Sequence, residues 1–179
     1  MTAVSHQYFL GLGSNLGDRA GHLGKSIDGL AGLPGSKIWA ISPAFDSDPV
    51  GFSDQPNFLN LCLSVSCELE PPALLRATLE IERQLGRVRS SNRNGPRTVD
   101  IDLLFWEGGP WASPELTLPH PRWMERGFVV EPLRHLLQTP ALAKDPRWDS
   151  LRADVAQAAS GAGGLRAWQG STPWRPTPG

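Results

Sequence analysis

Arg97-Thr98-Val99-Asp100-Ile101-Asp102-Leu103-Leu104-Phe105 alternates apolar and acidic residues over its central part. Read as a β-strand, it turns Val99, Ile101, Leu103 and Phe105 toward a core and Asp100 and Asp102 to the opposite face. Residues i and i+2 of a strand lie roughly 6–7 Å apart. Two carboxylates at that spacing repel one another unless a cation neutralises them. Hard oxygen ligands suit Mg²⁺, which takes one or two carboxylates and completes its shell with water and substrate phosphates. The competing reading is a half-buried edge strand with a solvated acidic face, and Asp-x-Asp alone does not separate the two.

The residues just upstream shift that balance. Arg83, Arg87, Arg89, Arg93 and Arg97 fall in a stretch without a single acidic residue, in a chain whose formal net charge is only -1. Guanidinium groups offer planar, bidentate donors to phosphate. Arginines abutting a carboxylate pair have the composition of a polyphosphate site with its metal. Ser90, Ser91, Asn92, Asn94, Gly95 and Pro96 mark the basic run as a loop. A solvated basic loop is the alternative for the arginines taken alone, but their juxtaposition with Asp100 and Asp102 weakens both plain readings together.

Length and composition set the frame. A chain of 179 residues, 40% hydrophobic and 20% charged, fits one globular domain with a sizeable core. Its near-neutral charge argues against a dedicated nucleic-acid surface. No apolar run approaches a membrane span, and residues 1–7 lack the basic start and apolar stretch of a signal peptide, so cytoplasmic residence and no membrane partner are expected. Cys62 and Cys67 lie five apart in one predicted strand, hence on opposite faces, and read as reduced packing residues.

Outward from the acidic strand, the chain alternates strand and helix signals. Residues 8–13 put Tyr8, Leu10 and Leu12 on one face and Phe9, Gly11 and Gly13 on the other, where the glycines leave room for a ligand or another backbone. A turn at Gly13-Ser14-Asn15-Leu16-Gly17-Asp18 leads into a helix with Leu23, Ile27 and Leu30 at helical spacing. No Gly-Lys-Ser/Thr follows that turn, so it is not a Walker loop. Residues 36–46 read as a second strand with an edge or bulge at Pro43, and residues 47–55 as a loop. Residues 57–69 form the clearest strand: Leu59, Leu61, Leu63 and Val65 face the core, while Phe58 and Asn60 share the open face. Such a pair suits stacking a flat heterocycle and reading its edge, although a lone Phe and Asn more often pack and cap. Glu70-Pro71-Pro72 opens a helix with a Leu74, Thr78, Ile81, Leu85 stripe, stopped at Gly86. Residues 106–113 read as a turn between strands, Pro119-His120-Pro121 as rigid and extended, residues 126–137 as helical, and 149–159 as a short helix. Residues 1–160 are therefore expected to form a single domain. Residues 161–179, with five glycines and three prolines, are expected to be a flexible tail on which Trp168 and Trp174 are candidates to dock back.

The order strand, helix, strand, strand, helix, strand predicts an α+β ferredoxin-like βαββαβ sandwich, here with an additional C-terminal hairpin and helices. Both helices then cover one face and leave the other for ligand. The assembled motifs resemble the 6-hydroxymethyl-7,8-dihydropterin pyrophosphokinase family: Gly13-Ser14-Asn15-Leu16, Asp54-Gln55-Pro56-Asn57-Phe58-Leu59-Asn60, Gly86-Arg87-Val88-Arg89, Gly95-Pro96-Arg97-Thr98-Val99-Asp100-Ile101-Asp102, Pro119-His120 and Arg126-Gly127-Phe128. The resemblance covers roughly residues 8–137 and rests on the order and spacing of motifs that are individually weak.

The resemblance implies transfer of diphosphate from the co-substrate ATP to the pterin hydroxymethyl oxygen, with two Mg²⁺ ions on Asp100 and Asp102. It implies a pterin site of Phe58 and Phe128 as ring faces, with Asn60 and the backbone around Ser47 and Val50 reading the polar edge. It implies an ATP site lined by Glu82, Arg87, Arg89, Arg97, Leu103, Thr117, His120 and Arg126, with Arg87 and Arg97 on a mobile, catalytically engaged loop. It also implies small-molecule partners only and a monomer. Two positions depart from the family pattern: Asn94 stands where a loop tryptophan is frequent, and Pro121 where an aromatic often follows the histidine. The alternative from another class is a non-catalytic ferredoxin-like nucleotide- or RNA-binding module, which would need no carboxylate pair facing its ligand.

Overall fold

The computed structural model describes residues 4–88, 94–158 and 164–179. Arg89, Arg93 and the centre of the expected arginine loop lie outside the described residues. The chain runs β1 (His6–Ser14), α1 (Arg19–Ala31), β2 (Lys37–Ile41), β3 (Phe45–Ser47), β4 (Phe58–Cys67), α2 (Pro71–Gln84), β5 (Asp100–Trp106), β6 (Trp111–Ala112), β7 (Thr117–Leu118), α3 (Gly127–Leu136), α4 (Asp149–Gln157) and β8 (Arg166–Ala167). Six strands form one antiparallel sheet in the order β5-β1-β4-β3-β8, with β2 also paired to β4. β6 and β7 make a separate hairpin.

The expected second strand is split where Pro43 cannot donate to a ladder. Ser42 carries the ladder up to that break: its N–H donates to the Cys62 carbonyl at 2.9 Å, and its Oγ accepts from the Cys62 N–H at 3.0 Å. α1 and α2 lie on one face of the sheet. Leu23, Ile27, Leu30, Leu74 and Ile81 pack there against Tyr8, Leu10, Leu12, Leu59, Leu61, Leu63, Val99, Ile101 and Leu103. α1 is capped by Asp18, whose carboxylate accepts from the Gly21 N–H at 2.9 Å.

The opposite face differs from the expectation of an open surface. α3 and α4 cover much of it, and Val130, Leu133, Leu136, Trp148 and Leu151 form a second core with Phe9, Cys62, Leu104 and Phe105. Phe105 was expected on the first face with Ile101 and Leu103. The β1–β5 register shifts between Phe9 and Leu10, pairing Phe9 with Phe105 and Leu10 with Leu103, so Leu104 is an extra residue. That bulge turns both Leu104 and Phe105 into the second core. What α3 and α4 leave partly exposed is the end of this face holding Phe58, Asp100 and Asp102, beside the buried Gly13 and Asn60.

The C-terminal segment also differs from its expected flexibility. β8 pairs with β3, and Trp174 is only 8% exposed within the core on the α1/α2 side. The two cysteines are free, buried and on opposite faces, as their spacing predicts.

Candidate active site

Strand register assembles the site. Gly13 of β1 stands opposite Asn60 of β4 on one side and Asp100 of β5 on the other; Gly11 stands opposite Cys62 and Asp102. One cross-strand row therefore reads Asn60, Gly13, Asp100, with no side chain between the amide and the carboxylate. A Cβ on Gly13 would lie 2.9 Å from Asn60 Oδ1. A Cβ on Gly11 would lie 3.4 Å from Leu104 Cδ1. The room that these glycines leave is thus taken up by Asn60 and Leu104 of the protein itself.

Three arginines surround the two carboxylates. Arg87 Nη1 lies 2.5 Å from Asp100 Oδ1 and 2.8 Å from Glu82 Oε2, while Arg97 Nη1 lies 2.8 Å from Asp100 Oδ2. Arg126 Nη1 lies 3.0 Å from Asp102 Oδ2. Loss of solvation and the neighbouring Asp100 push the Asp102 carboxyl upward, opposed by Arg126. The same arginines approach the two aromatic rings: Arg97 Cζ sits 5.5 Å from the Phe58 centroid and Arg126 Cζ 5.8 Å from that of Phe128. Each carboxylate is thereby linked through one guanidinium to one of the two aromatics.

The remaining edge is built from β3, β4 and the loops beside them. Asn60 Nδ2 donates to Ser47 Oγ at 2.7 Å, fixing both groups on the face they share with Phe58. Asn15, almost fully buried, ties three segments together. Its Oδ1 accepts from the Arg97 N–H at 2.8 Å, and its Nδ2 donates to Gln55 Oε1 at 2.9 Å and to the Pro56 carbonyl at 3.0 Å. Gln55 in turn donates to the Asn94 carbonyl at 2.6 Å. The turn after β1, the loop before β4 and the segment carrying Arg97 therefore move as neighbours. The turn motif contains Asn15, but nothing in its local sequence marks it as this junction.

Other expected residues occupy less direct positions. Glu82 is 2% exposed: its Oε1 accepts from the Ile101 N–H at 2.8 Å and its Oε2 meets Arg87. A carboxylate that deep requires such compensation, so Glu82 anchors β5 and positions Arg87. The side chain of Leu103 packs in the α1/α2 core, because its place on β5 alternates away from Asp102, so only its backbone can serve a ligand. Val50 is exposed in the loop after β3, and Thr117 is exposed on β7 beside β5. His120 donates its backbone N–H to the Leu104 carbonyl at 2.8 Å. Burial and then Arg126 lower its pKa to about 4, leaving a neutral imidazole at pH 7.

The 7,8-dihydro-6-hydroxymethylpterin-pyrophosphokinase family model matches residues 9–138, most of the chain and every strand that builds the site. The chain belongs to this family. A 2-amino-4-hydroxy-6-hydroxymethyldihydropteridine pyrophosphokinase of Methylorubrum extorquens is 44% identical over 128 residues, covering 72% of this chain and 80% of that protein. Its namesake in Bacillus subtilis is 38% identical over 130 residues, 73% and 77% of the two chains. Among solved structures, the HPPK-DHPS of Plasmodium falciparum aligns with a TM-score of 0.55 at 14% identity over 74% of this chain, which spans 38% of that longer one. At that identity the likeness concerns the fold. The family match ends at residue 138, so α4, β8 and the docked C-terminal segment lie beyond it.

Proposed function

We propose that this chain transfers diphosphate from ATP to the hydroxymethyl oxygen of 6-hydroxymethyl-7,8-dihydropterin. The pterin oxygen bonds to the β-phosphorus, the bridge to the α-phosphate breaks on the β side, AMP leaves, and the hydroxyl proton passes to solvent. The observation that carries this reading is the cross-strand row at Gly13. It sets a heterocycle-reading group, Phe58 with Asn60 and Ser47, beside a carboxylate pair ringed by arginines on one sheet face.

Asp100 and Asp102 fit Mg²⁺. Among the described residues they belong to no cluster of three or more His, Cys, Asp or Glu side chains, so protein carboxylates would supply only part of a shell and leave the rest to water and phosphate. Asp100 and Asp102 would hold two such ions, which would supply charge neutralisation to the phosphate oxygens during the transfer. The protein's own part is positional. Arg87 and Arg97, held against Asp100 in the free chain, exchange that carboxylate for phosphate oxygens when the nucleotide enters. Arg126 does the same from Asp102. Phe58 and Phe128 take the faces of the pterin ring, and Asn60, Ser47 and the backbone near Val50 its polar edge.

The antiparallel order β5-β1-β4 followed by β2 and β3 supports a ferredoxin-like sheet within a single catalytic domain, to which the C-terminal segment belongs through β8 and Trp174. No helix among the described residues is long and apolar enough to cross a membrane; a cytoplasmic monomer is the reading we adopt. The direct test incubates the protein with ATP, Mg²⁺ and the hydroxymethyl pterin and follows AMP. Formation of AMP only when the pterin is present is expected; ADP as the sole product, or no turnover, would overturn the assignment.

A further inference from the structure

The C-terminal segment runs along the outer edge of the strands that carry the pterin-reading groups. Ala167 pairs with Phe45 and Arg166 with Asp46. The Trp168 N–H donates to the Ala44 carbonyl at 2.9 Å and the Thr177 N–H to the Ile41 carbonyl at 2.8 Å, so the segment follows the edge from β3 back to β2. Two contacts anchor it to the body. Trp174 is buried in the core under α1, and Pro173 fills the space left by Gly24, where a Cβ would come within 2.4 Å of Pro173 Cγ.

The polar contacts of this segment converge on the two residues flanking Ser47. Arg166 Nη2 lies 3.2 Å from Asp46 Oδ1 and 3.0 Å from Asp48 Oδ1. Asp46 also accepts from Arg19 Nη1 and from Asn57 Nδ2, each at 2.9 Å. Burial alone would raise the Asp46 carboxyl, but the bonds from Asn57, Arg19 and Arg166 outweigh it and hold the group below the usual carboxylate range. Asp46 is the residue of β3 just before Ser47 and Asp48 follows just past the strand end, so a group that grips both restrains the backbone that carries Ser47. Ser47 Oγ in turn orients Asn60.

We propose that Arg166 is a positioning residue for the pterin site: from a segment beyond the family-matched region it clamps Asp46 and Asp48 and so aims Ser47 and Asn60 at the pterin edge. It touches neither substrate nor metal. The inference rests on the pterin assignment made above and is separable from it by experiment.

The test measures equilibrium binding of 6-hydroxymethylpterin, in the presence of Mg²⁺ and a non-hydrolysable ATP analogue, to the full-length wild type, Arg166→Ala, Arg166→Lys and Phe58→Ala. Binding of the ATP analogue and the melting temperature are measured on the same proteins. Arg166 is an exposed side chain, so Arg166→Ala is expected to fold and to melt near the wild type. Its pterin Kd is expected to rise three- to tenfold while its nucleotide Kd stays within twofold. Amide exchange at residues 46–48 should speed up. Arg166→Lys, which keeps the charge without the planar fork, should fall between the two. Wild-type pterin affinity in Arg166→Ala, or equal weakening of both ligands, overturns the clamp even when Phe58→Ala loses pterin binding. Unchanged pterin binding in Phe58→Ala overturns the site assignment itself, and the clamp with it.

Discussion

Asp100 carries more of the free protein's charge balance than Asp102 does, since it faces both Arg87 and Arg97 whereas Asp102 faces Arg126. Two bare carboxylates on a strand would gain from losing one of the pair, and sequence alone predicts such relief. With guanidiniums against both oxygens of Asp100 the sign reverses. Asp100→Ala should cost roughly 1–2 kcal/mol in denaturant unfolding, between the exposed and fully buried limits for an ion pair, and more than Asp102→Ala. On the metal assignment proposed above, both variants should lose AMP formation by at least about a hundredfold, because each would remove a metal ligand at the centre of the transfer; near-wild-type turnover in either one rules out that assignment. His120 gives a pH-dependent counterpart. Its folded pKa of about 4 lies below the ordinary value of 6.5, so the stability tied to its neutral form is present above pH 6.5 and drains away as pH falls toward 4. Proton NMR should place its titration midpoint near 4. Arg126→Gln should move that midpoint upward by removing the second largest cause of the depression, and an unmoved midpoint would leave burial and Arg122 as its causes.

At the scale of elements, two glycines on β1 that look equivalent in sequence behave differently once paired. Gly13→Ala drives a methyl to within 2.9 Å of the Asn60 amide oxygen, whose amide nitrogen is already held by Ser47, so the methyl must dislodge the pair proposed to read the pterin edge. Gly11→Ala meets Leu104 at 3.4 Å, which a leucine can absorb by a few tenths of an ångström. Calorimetry should therefore show pterin affinity reduced about tenfold or more in Gly13→Ala and within about threefold in Gly11→Ala, with each 1.4 kcal/mol of displaced contact counting as a factor of ten. Equal affinities in the two variants would mean that the row Asn60, Gly13, Asp100 is not in the register described. The periodicities of β1, β4, α1 and α2 were legible in the sequence because each places one set of apolar residues at a fixed spacing: Leu59, Leu61 and Leu63, or Leu23, Ile27 and Leu30, need only local periodicity to be recognised. The carboxylate pair was legible for the same reason. What escaped was set by pairing between strands: the bulge that sends Leu104 and Phe105 to the second core, the arginine–carboxylate contacts, and the junction at Asn15. None leaves a mark in the spacing of its own segment.

Across the whole molecule, one sheet separates two cores, and the site occupies the corner that α3 and α4 leave partly exposed. The C-terminal segment closes the opposite edge. Its glycines and prolines give no periodic pattern, so composition alone reads it as a free tail. Its order comes instead from long-range pairing: the unpaired edges of β2 and β3 offer a hydrogen-bonding ladder, Gly24 makes room for Pro173, and the core under α1 accepts Trp174. An exposed sheet edge is open to pairing with other chains, and covering it is a recurrent solution. Two functions of this segment are then separable by mutation, because Arg166 acts on the backbone that carries Ser47 while Trp174 acts on the fastening of the segment as a whole. Replacing a buried tryptophan by alanine costs about 3–5 kcal/mol where the cavity cannot collapse. Trp174 lies near the end of the chain, where the segment can partly detach, so about 3 kcal/mol is expected for Trp174→Ala. At about 2–4 °C per kcal/mol for a protein of this size, melting should fall by roughly 6–12 °C. Released from its anchor, the segment should expose the β3 edge, so amide exchange at residues 41–46 should rise in Trp174→Ala, while the backbone of β1 and β5 stays protected to near the global limit. Uniform loss of protection in every strand would show instead that Trp174 is simply part of one cooperative core.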